Sequence, residues 1–232
     1  TKDSANKIKA KCKLLTPQQK HDALTLIYKS LEKQKKYFAE LISIESAKPF
    51  IYALAEVERS IATFKIASQE VFNLPFEKLD FKKLPNGKGK NGIVNYFPIG
   101  VVAGISPFNF PLNLAVHKIA PAIAAGCPII LKPASTTPLT ILALAKIISK
   151  TKLPKGMVNI LPMTREVGNY LIASEKINLI SFTGSPEVGW NIKNKSGKNI
   201  PNNYIKNETG NVNSDKNKST NTDKNQKKEN KK

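Results

Sequence analysis

The sequence runs to 232 residues, with 37 Lys and Arg against 17 Asp and Glu, a net charge of +20. That length suffices for one domain and part of a second. Two cysteines without a CxxC, Cys12 and Cys127, exclude a disulfide framework and a zinc signature, and no apolar run reaches the roughly 20 residues a membrane helix needs.

The basic excess is almost entirely Lys; Arg59 and Arg165 are the two Arg. Specific readers of nucleic acid use Arg forks and stacking rings, whereas these Lys are scattered without interleaved aromatics, so no specific nucleic-acid binding is expected. The polar, basic start has no apolar h-region, which argues against a secretory signal. These features predict a soluble, cytoplasmic protein with no metal site and no membrane contact.

Along the chain, helical spacing comes first. Thr16-Pro17 is a helix start, a capping hydroxyl followed by Pro at the first helical position. Leu24, Ile27, Tyr28 and Leu31 then share a face, and Phe38, Leu41 and Ile42 continue the pattern. Pro49 opens a further helix to about Val71. This first third reads as a helical layer without a site. "LPNGKGKNG" is a turn-rich break. Beyond it, "GIVNYFPIGVVAGIS" holds two strand-like pieces. "AVHKIAPAIAAG" is a helix ended by Gly126, and "PIILKP" a buried strand. "TPLTILALAKIISK" is a helix with Thr137 as its expected cap. "GMVNIL", "TREVGNYLIAS", "INLISFTG" and "SPEVGWNIKNK" follow as strand, helix, strand, helix. The fold class is therefore α/β: a helical N-terminal layer plus a Rossmann-like open parallel sheet. From Asn194 onward the apolar residues are Ile200, Tyr204, Ile205 and Val212, too few to offset chain entropy, so a disordered C-terminal tail is expected.

Open parallel sheets bind ligands beyond the carboxyl ends of their strands. Three loops lie there. In "GISPFNFPLN", Asn109 offers an amide donor for an oxyanion, or satisfies its own turn. In "LKPASTTPL", Lys132 ends a strand, to bond a ribose or phosphate or simply to snorkel. In "FTGSPEVG", Gly184 permits a tight turn, Ser185 caps and Pro186 starts a helix; the geometry suits a pyrophosphate or is only a well-capped helix.

Together, "GISPFNFPLNLAVHKIAPAIAAGCPIILKPASTTPL" and, about fifty residues on, "INLISFTGSPEVG" resemble the aldehyde dehydrogenase superfamily over roughly residues 15 to 197. The upstream "ELISIESAKP" is similar to that family's acidic-Gly-Lys-Pro element, with Ala47 in place of the Gly. The resemblance implies NAD(P)-dependent oxidation of an aldehyde to an acid by a Cys thiolate, with a Glu activating water. It implies that Asn109 holds the oxyanion and that Ile105, Ser106, Pro107 and Phe108 lie along the cofactor. Lys132 would bond the adenosine ribose, Gly184 and Ser185 meet the pyrophosphate, and Val188 pack behind it. It also implies a homo-oligomer and a small-molecule aldehyde substrate.

Four departures matter. Ala47 is the first. At the second, Ser135 stands where NAD-preferring relatives carry a Glu, so NADP joins NAD as the expected cofactor. At the third, only Gly168 in "PMTREVG" matches the family's adenine-side glycines. At the fourth, the apolar strand ending in Glu-Leu-Gly-Gly and the later nucleophilic Cys are not found. "NETGN" around Glu208 is a faint echo, several residues late and with no apolar strand before it. Cys127 reads as a small buried residue and Cys12 as part of a basic stretch, neither as a nucleophile. The expected divisions are 1–84, an N-terminal helical segment; 85–197, an incomplete dinucleotide-binding domain; and 198–232, an Asn/Lys-rich tail. The expectation is a truncated fragment, inactive alone, with an uncovered sheet edge. The alternative is a nucleotide-binding module or half-enzyme that pairs with a separate catalytic chain.

Overall fold

A computed structural model of the chain describes residues 2–73, 76–81, 85–86, 89–196 and 202–207. Four helices lead: α1 (Lys2–Lys13), α2 (Pro17–Lys33), α3 (Lys35–Ser46) and α4 (Phe50–Glu70). Strands β1 (Phe76–Asp80) and β2 (Asn91–Asn95) follow. Then come β3 (Val102–Ile105), α5 (Asn113–Ala124), β4 (Ile129–Lys132), α6 (Leu139–Ile148), β5 (Val158–Ile160), α7 (Arg165–Ile172), β6 (Leu179–Gly184), α8 (Pro186–Lys195) and β7 (Asn202–Asn207).

The helix ends explain themselves. Thr16 and Gln19 form a capping box: the Gln19 N–H donates to Thr16 Oγ1 at 3.2 Å and the Thr16 N–H to Gln19 Oε1 at 2.9 Å. α5 closes in a Schellman turn. Gly126 sits at φ +73°, its N–H donates to Ile123 O, and the Cys127 N–H reaches back to Ala122 O at 2.8 Å. Buried Lys20 of α2 donates to Ala124 O at 2.8 Å, placing a cation at the same C-terminus. α6 departs from expectation. Thr137 does not cap it, and its buried hydroxyl finds no partner. The cap comes from α3, where the Glu45 carboxylate accepts from the Leu139 N–H at 2.7 Å and the Thr140 N–H at 3.2 Å.

Five parallel strands form the main sheet, in the order β5-β4-β3-β6-β7. The chain winds outward from β3 to β4 and β5, then returns to β6 on the other side. The crevice between β3 and β6 is therefore the topological switch point. Strand alternation divides two cores. Val102, Ile129 and Leu131 face α5, α6 and the N-terminal helices. Ala103, Ile130 and Ile180 face Leu171 of α7 and Ile192 of α8. α2 and α4 share the first core with α5, so the helical layer roofs one face of the sheet.

Three elements were not foreseen. α1 buries little beyond Ala5 and Cys12, too thin a stripe to announce itself. β1 lies inside the segment expected to be helical and pairs antiparallel with β2 across the turn-rich break. β7 lies inside the tail expected to be disordered, yet it pairs with β6 from Leu179↔Asn202 to Gly184↔Asn207. The β6 edge expected to stand bare is thus covered. The rest of that tail lies outside the described residues. Among the described residues, no helix is long and apolar enough to cross a membrane, and no group of three or more His, Cys, Asp or Glu could hold a metal ion.

Ala47 ends α3 in the left-handed region, at φ 53° and ψ 24°, the one non-glycine residue at positive φ among those described. An L side chain there costs about 1–2 kcal/mol, partly offset by the freer unfolded chain that Gly would bring. Ala47→Gly is expected to stabilise the protein by roughly 0.5–1 kcal/mol, read as a raised midpoint in a urea titration followed by circular dichroism.

Candidate functional site

The loop after β3 is held from both sides. The Ser106 N–H donates to Lys132 O at 3.2 Å, tying it to the end of β4, while the buried Ser106 hydroxyl has no partner. Ile105 and Pro107 are half-buried; Phe108 and Asn109 are exposed. The Asn109 side chain does not bond its own turn; instead its backbone carbonyl accepts a 2.7 Å bond from Lys48 Nζ. Lys48 also pairs with Glu56 at 2.5 Å. Glu56 is 0% exposed, and its other oxygen accepts from the Leu112 and Asn113 N–H groups at 3.0 and 3.1 Å, capping α5. The Lys48 ammonium stands 4.1 Å from the Phe110 ring centroid, with the Arg59 guanidinium at 5.4 Å. The helical layer, expected to carry no site, therefore supplies the groups that hold the Asn109 loop. The signal available was a Glu inside the apolar stripe Ala53, Val57, Ile61 and Phe64 of α4.

A cavity of about 270 Å³ opens beside this loop, beyond the ends of β3 and β4 and between α7 and α8. It gathers five of the expected residues: Ile105, Lys132, Ser135, Gly168 and Val188. Gly168 lies within α7 rather than in a loop, and a Cβ there would stand 3.3 Å from Lys132 Cδ. Lys132 is half-buried, and its ammonium reaches only Pro133 O, at 3.4 Å. Burial, and then the charge of Arg165, lower its pKa below the ordinary 10.5. Arg165 and Lys195 also line the cavity; neither was anticipated.

Gly184 and Ser185 stand at the neighbouring β6–α8 turn. A Cβ at Gly184 would lie 2.5 Å from a Phe182 ring carbon, so glycine leaves room for that ring. Ser185 occupies the N-cap position of α8 without making the capping bond expected of it. Buried Lys118 of α5 donates to Thr183 Oγ1 at 2.7 Å and so ties α5 to β6 just before this turn. Ser106, Pro107, Phe108 and Asn109 flank the cavity rather than line it.

The two thiols lie elsewhere. Cys12 is 1% and Cys127 3% exposed, both within the core beneath α5. Burial, with a smaller push from Cys127, raises the Cys12 thiol from its ordinary 9.0 to about 11. Both are sealed in the core, away from the cavity, and the Cys12 thiol is held protonated there.

The sequence pattern of the aldehyde dehydrogenase family matches residues 2–213. The chain belongs to the aldehyde dehydrogenase family. It is 35% identical over 203 residues to a 3-sulfolactaldehyde dehydrogenase of Priestia megaterium, covering 85% of this chain and 43% of that one. It is 40% identical over 200 residues to a lactaldehyde dehydrogenase of Methanocaldococcus jannaschii, covering 84% and 42%. Among solved structures, aldehyde dehydrogenase 21 of Physcomitrella patens superposes with a TM-score of 0.85 at 38% identity, over 89% of this chain and 43% of that one. A glyceraldehyde-3-phosphate dehydrogenase of M. jannaschii, complexed with NADP, gives 0.82 at 38%, over 88% and 44%. The chain thus spans less than half the length of these dehydrogenases. The family match runs past Glu208, which lies outside the described residues. The strand that ends just before it, β7, is mostly polar in sequence, with Tyr204 and Ile205 its apolar residues.

Two outcomes follow from these buried groups. Glu56→Ala leaves the Lys48 charge and two helix N–H groups without their partner, and is expected to cost roughly 3–5 kcal/mol in urea titrations, against a smaller loss for the Lys48→Met, Glu56→Met double variant. For Cys12, a pKa raised by folding means that its stabilising contribution is intact below pH 9.0 and is lost as pH rises through about 11. Urea midpoints are expected to fall over that alkaline range, and less steeply in Cys12→Ala.

Proposed function

We propose that this chain is the cofactor-holding part of an NAD(P)-dependent aldehyde dehydrogenase, acting on a small aldehyde in the cytoplasm. The observation that carries the reading is the cavity at the switch point. It brings Lys132, Ser135, Gly168 and Val188 together from three separate strand-to-helix crossings. Residues 1–84 serve as the helical roof and residues 85–197 as the dinucleotide-binding unit.

The residues present fit a dinucleotide. The uncapped N–H groups at the start of α8 can receive a pyrophosphate, where Gly184 lets the backbone approach. Lys132 can bond the adenosine ribose, and Gly168 leaves room for its methylene stem. Ile105, Ser106, Pro107 and Phe108 form the wall along the cofactor, where the unpartnered Ser106 hydroxyl awaits an acceptor or donor. Val188 packs behind the pyrophosphate. When bound, NAD(P)+ supplies the electron acceptor for aldehyde oxidation.

Asn109 donates its side-chain N–H to the aldehyde oxygen as negative charge grows there, a contribution worth about 3–4 kcal/mol. Lys48 fixes the loop through the Asn109 carbonyl and leaves the amide free. Within these 232 residues neither thiol can attack the carbonyl, so they are expected to hold the cofactor without turning over. Similarity to a 3-sulfolactaldehyde and a lactaldehyde dehydrogenase supports a small oxygenated aldehyde as the substrate class, and the family supports a homo-oligomer.

Calorimetric titration with NADP and NAD tests this reading. Binding of at least one is expected, weakened about tenfold by Lys132→Ala, since a charge-assisted bond is lost. Affinity is expected to fall with rising pH before an exposed Lys would lose its proton, because the Lys132 pKa is lowered. No aldehyde-dependent NADPH or NADH formation is expected from this chain. Turnover would overturn the assignment of both cysteines, and failure to bind either dinucleotide would overturn the whole reading.

A further inference from the structure

Beside the Asn109 loop stands a positive charge that no carboxylate neutralises. Arg59 is exposed on α4, its guanidinium 5.4 Å from the centroid of the Phe110 ring, and Phe110 follows Asn109 in the chain. The other cation at that ring, Lys48, is already committed to Glu56 and to the Asn109 carbonyl. The acidic residues nearest to Arg59 along α4, Glu56 and Glu58, are bound to Lys48 and Lys35. Among the described residues, no carboxylate forms an ion pair with Arg59.

Residue type adds to position. The chain meets almost every need for positive charge with Lys, yet it carries Arg here. An ammonium is a point charge, whereas the planar guanidinium fork matches the paired oxygens of a carboxylate, sulfonate or phosphate. The Phe110 ring beneath it steadies the guanidinium without taking up its N–H donors. The surface continues in polar groups. One turn along α4, the Thr63 hydroxyl donates to the Arg59 carbonyl at 3.0 Å and lies 3.5 Å from Nε2 of exposed His117 on α5. A charged or hydroxylated chain leaving Asn109 on this side is met by donors; a hydrocarbon tail is not.

We propose that Arg59 binds the negatively charged end of the substrate, so that this site prefers an aldehyde carrying a carboxylate, sulfonate or phosphate a few carbons from its carbonyl. The inference rests on the reading of Asn109 as the oxyanion donor and deepens it. Asn109 takes the reacting end of a short chain and Arg59 its far end, and Phe110 adjoins both. A neutral aldehyde of the same length loses the second contact and keeps the first.

The test reads binding of product-like acids to the full chain by NMR titration. Butanoate carries one charge; succinate, 3-sulfopropanoate and 3-phosphonopropanoate add a second anionic group at the far end. At least one of these three is expected to bind about tenfold more tightly than butanoate, and its rank names the anion. Arg59→Gln is expected to abolish that advantage and to change butanoate less than about twofold. Lys65→Gln removes an equal charge from an exposed position elsewhere on α4 and is expected to leave the advantage intact. Arg59 is itself exposed, so its replacement leaves the fold in place, which circular dichroism checks. An advantage that survives Arg59→Gln, or that Lys65→Gln removes equally, would overturn the inference and leave the Asn109 reading standing. Unchanged affinity for every acid in Asn109→Ala would instead overturn the oxyanion reading. A parent that binds none of the four acids would overturn both.

Discussion

One buried carboxylate organises the junction on which the site depends. Glu56 sits on α4, sealed from water, and spends one oxygen on the N–H groups of Leu112 and Asn113 and the other on Lys48. The first contact fixes where α5 begins. The second fixes Lys48, which in turn grips the Asn109 carbonyl. A carboxylate in a dry interior is tolerable only when every lone pair is used, and the helix dipole of α5 adds a favourable field at its N-terminus. The loop between β3 and α5 is thereby clamped at both ends. Ser106 is tied to β4, and Asn109 is tied to the helical roof. An amide that must meet a developing charge gains from a backbone that does not have to be ordered at the moment of reaction.

The same clamp explains why the helical roof and the sheet cannot be treated as independent units of function. α2 and α4 close the core over α5, and Lys20 of α2 touches the last turn of that helix while Glu56 caps its first. Both ends of α5 are thus set from outside the sheet. α5 in turn carries Lys118, which reaches Thr183 just before the α8 turn. Position is passed from roof to α5 to turn through buried hydrogen bonds, while the Lys48 bond to the Asn109 carbonyl lies exposed.

Much of this architecture is legible in the sequence because the sheet is buried on both faces. Continuous apolar runs such as "PIILKP" and "INLISFTG" mark strands, and Gly126 and the Thr16-Pro17 pair mark helix ends through conformations few other residues adopt. Ile105, Lys132, Ser135, Gly168 and Val188 could be placed because each sits at a strand end, in the turn after it or in the helix that follows. What escaped has a common cause. The Glu56–Lys48 pair and the crowding of Lys132 by Arg165 both join elements apart in the chain, and no local pattern announces a neighbour that only tertiary structure provides. Glu45 of α3 is the same case, capping α6 in place of Thr137, to which local sequence assigns the cap.

β7 escaped for the opposite reason. A count of apolar residues measures what side chains can bury, whereas a ladder is made by the backbone, and every residue except proline carries the same donor and acceptor. β6 presents a row of such groups on the side away from β3. The six residues from Asn202 to Asn207 run parallel to it in unbroken register, although Asn is a poor strand former. The unpaired edge is the stronger term, since leaving it bare forfeits a hydrogen bond at each position along a strand whose other flank is already committed. With β7 in place, β6 is an interior strand, and the turn at Gly184 proposed to receive a pyrophosphate hangs from the middle of the sheet rather than from its margin. The proposed cofactor site thus rests on a supported strand, one paired on both flanks.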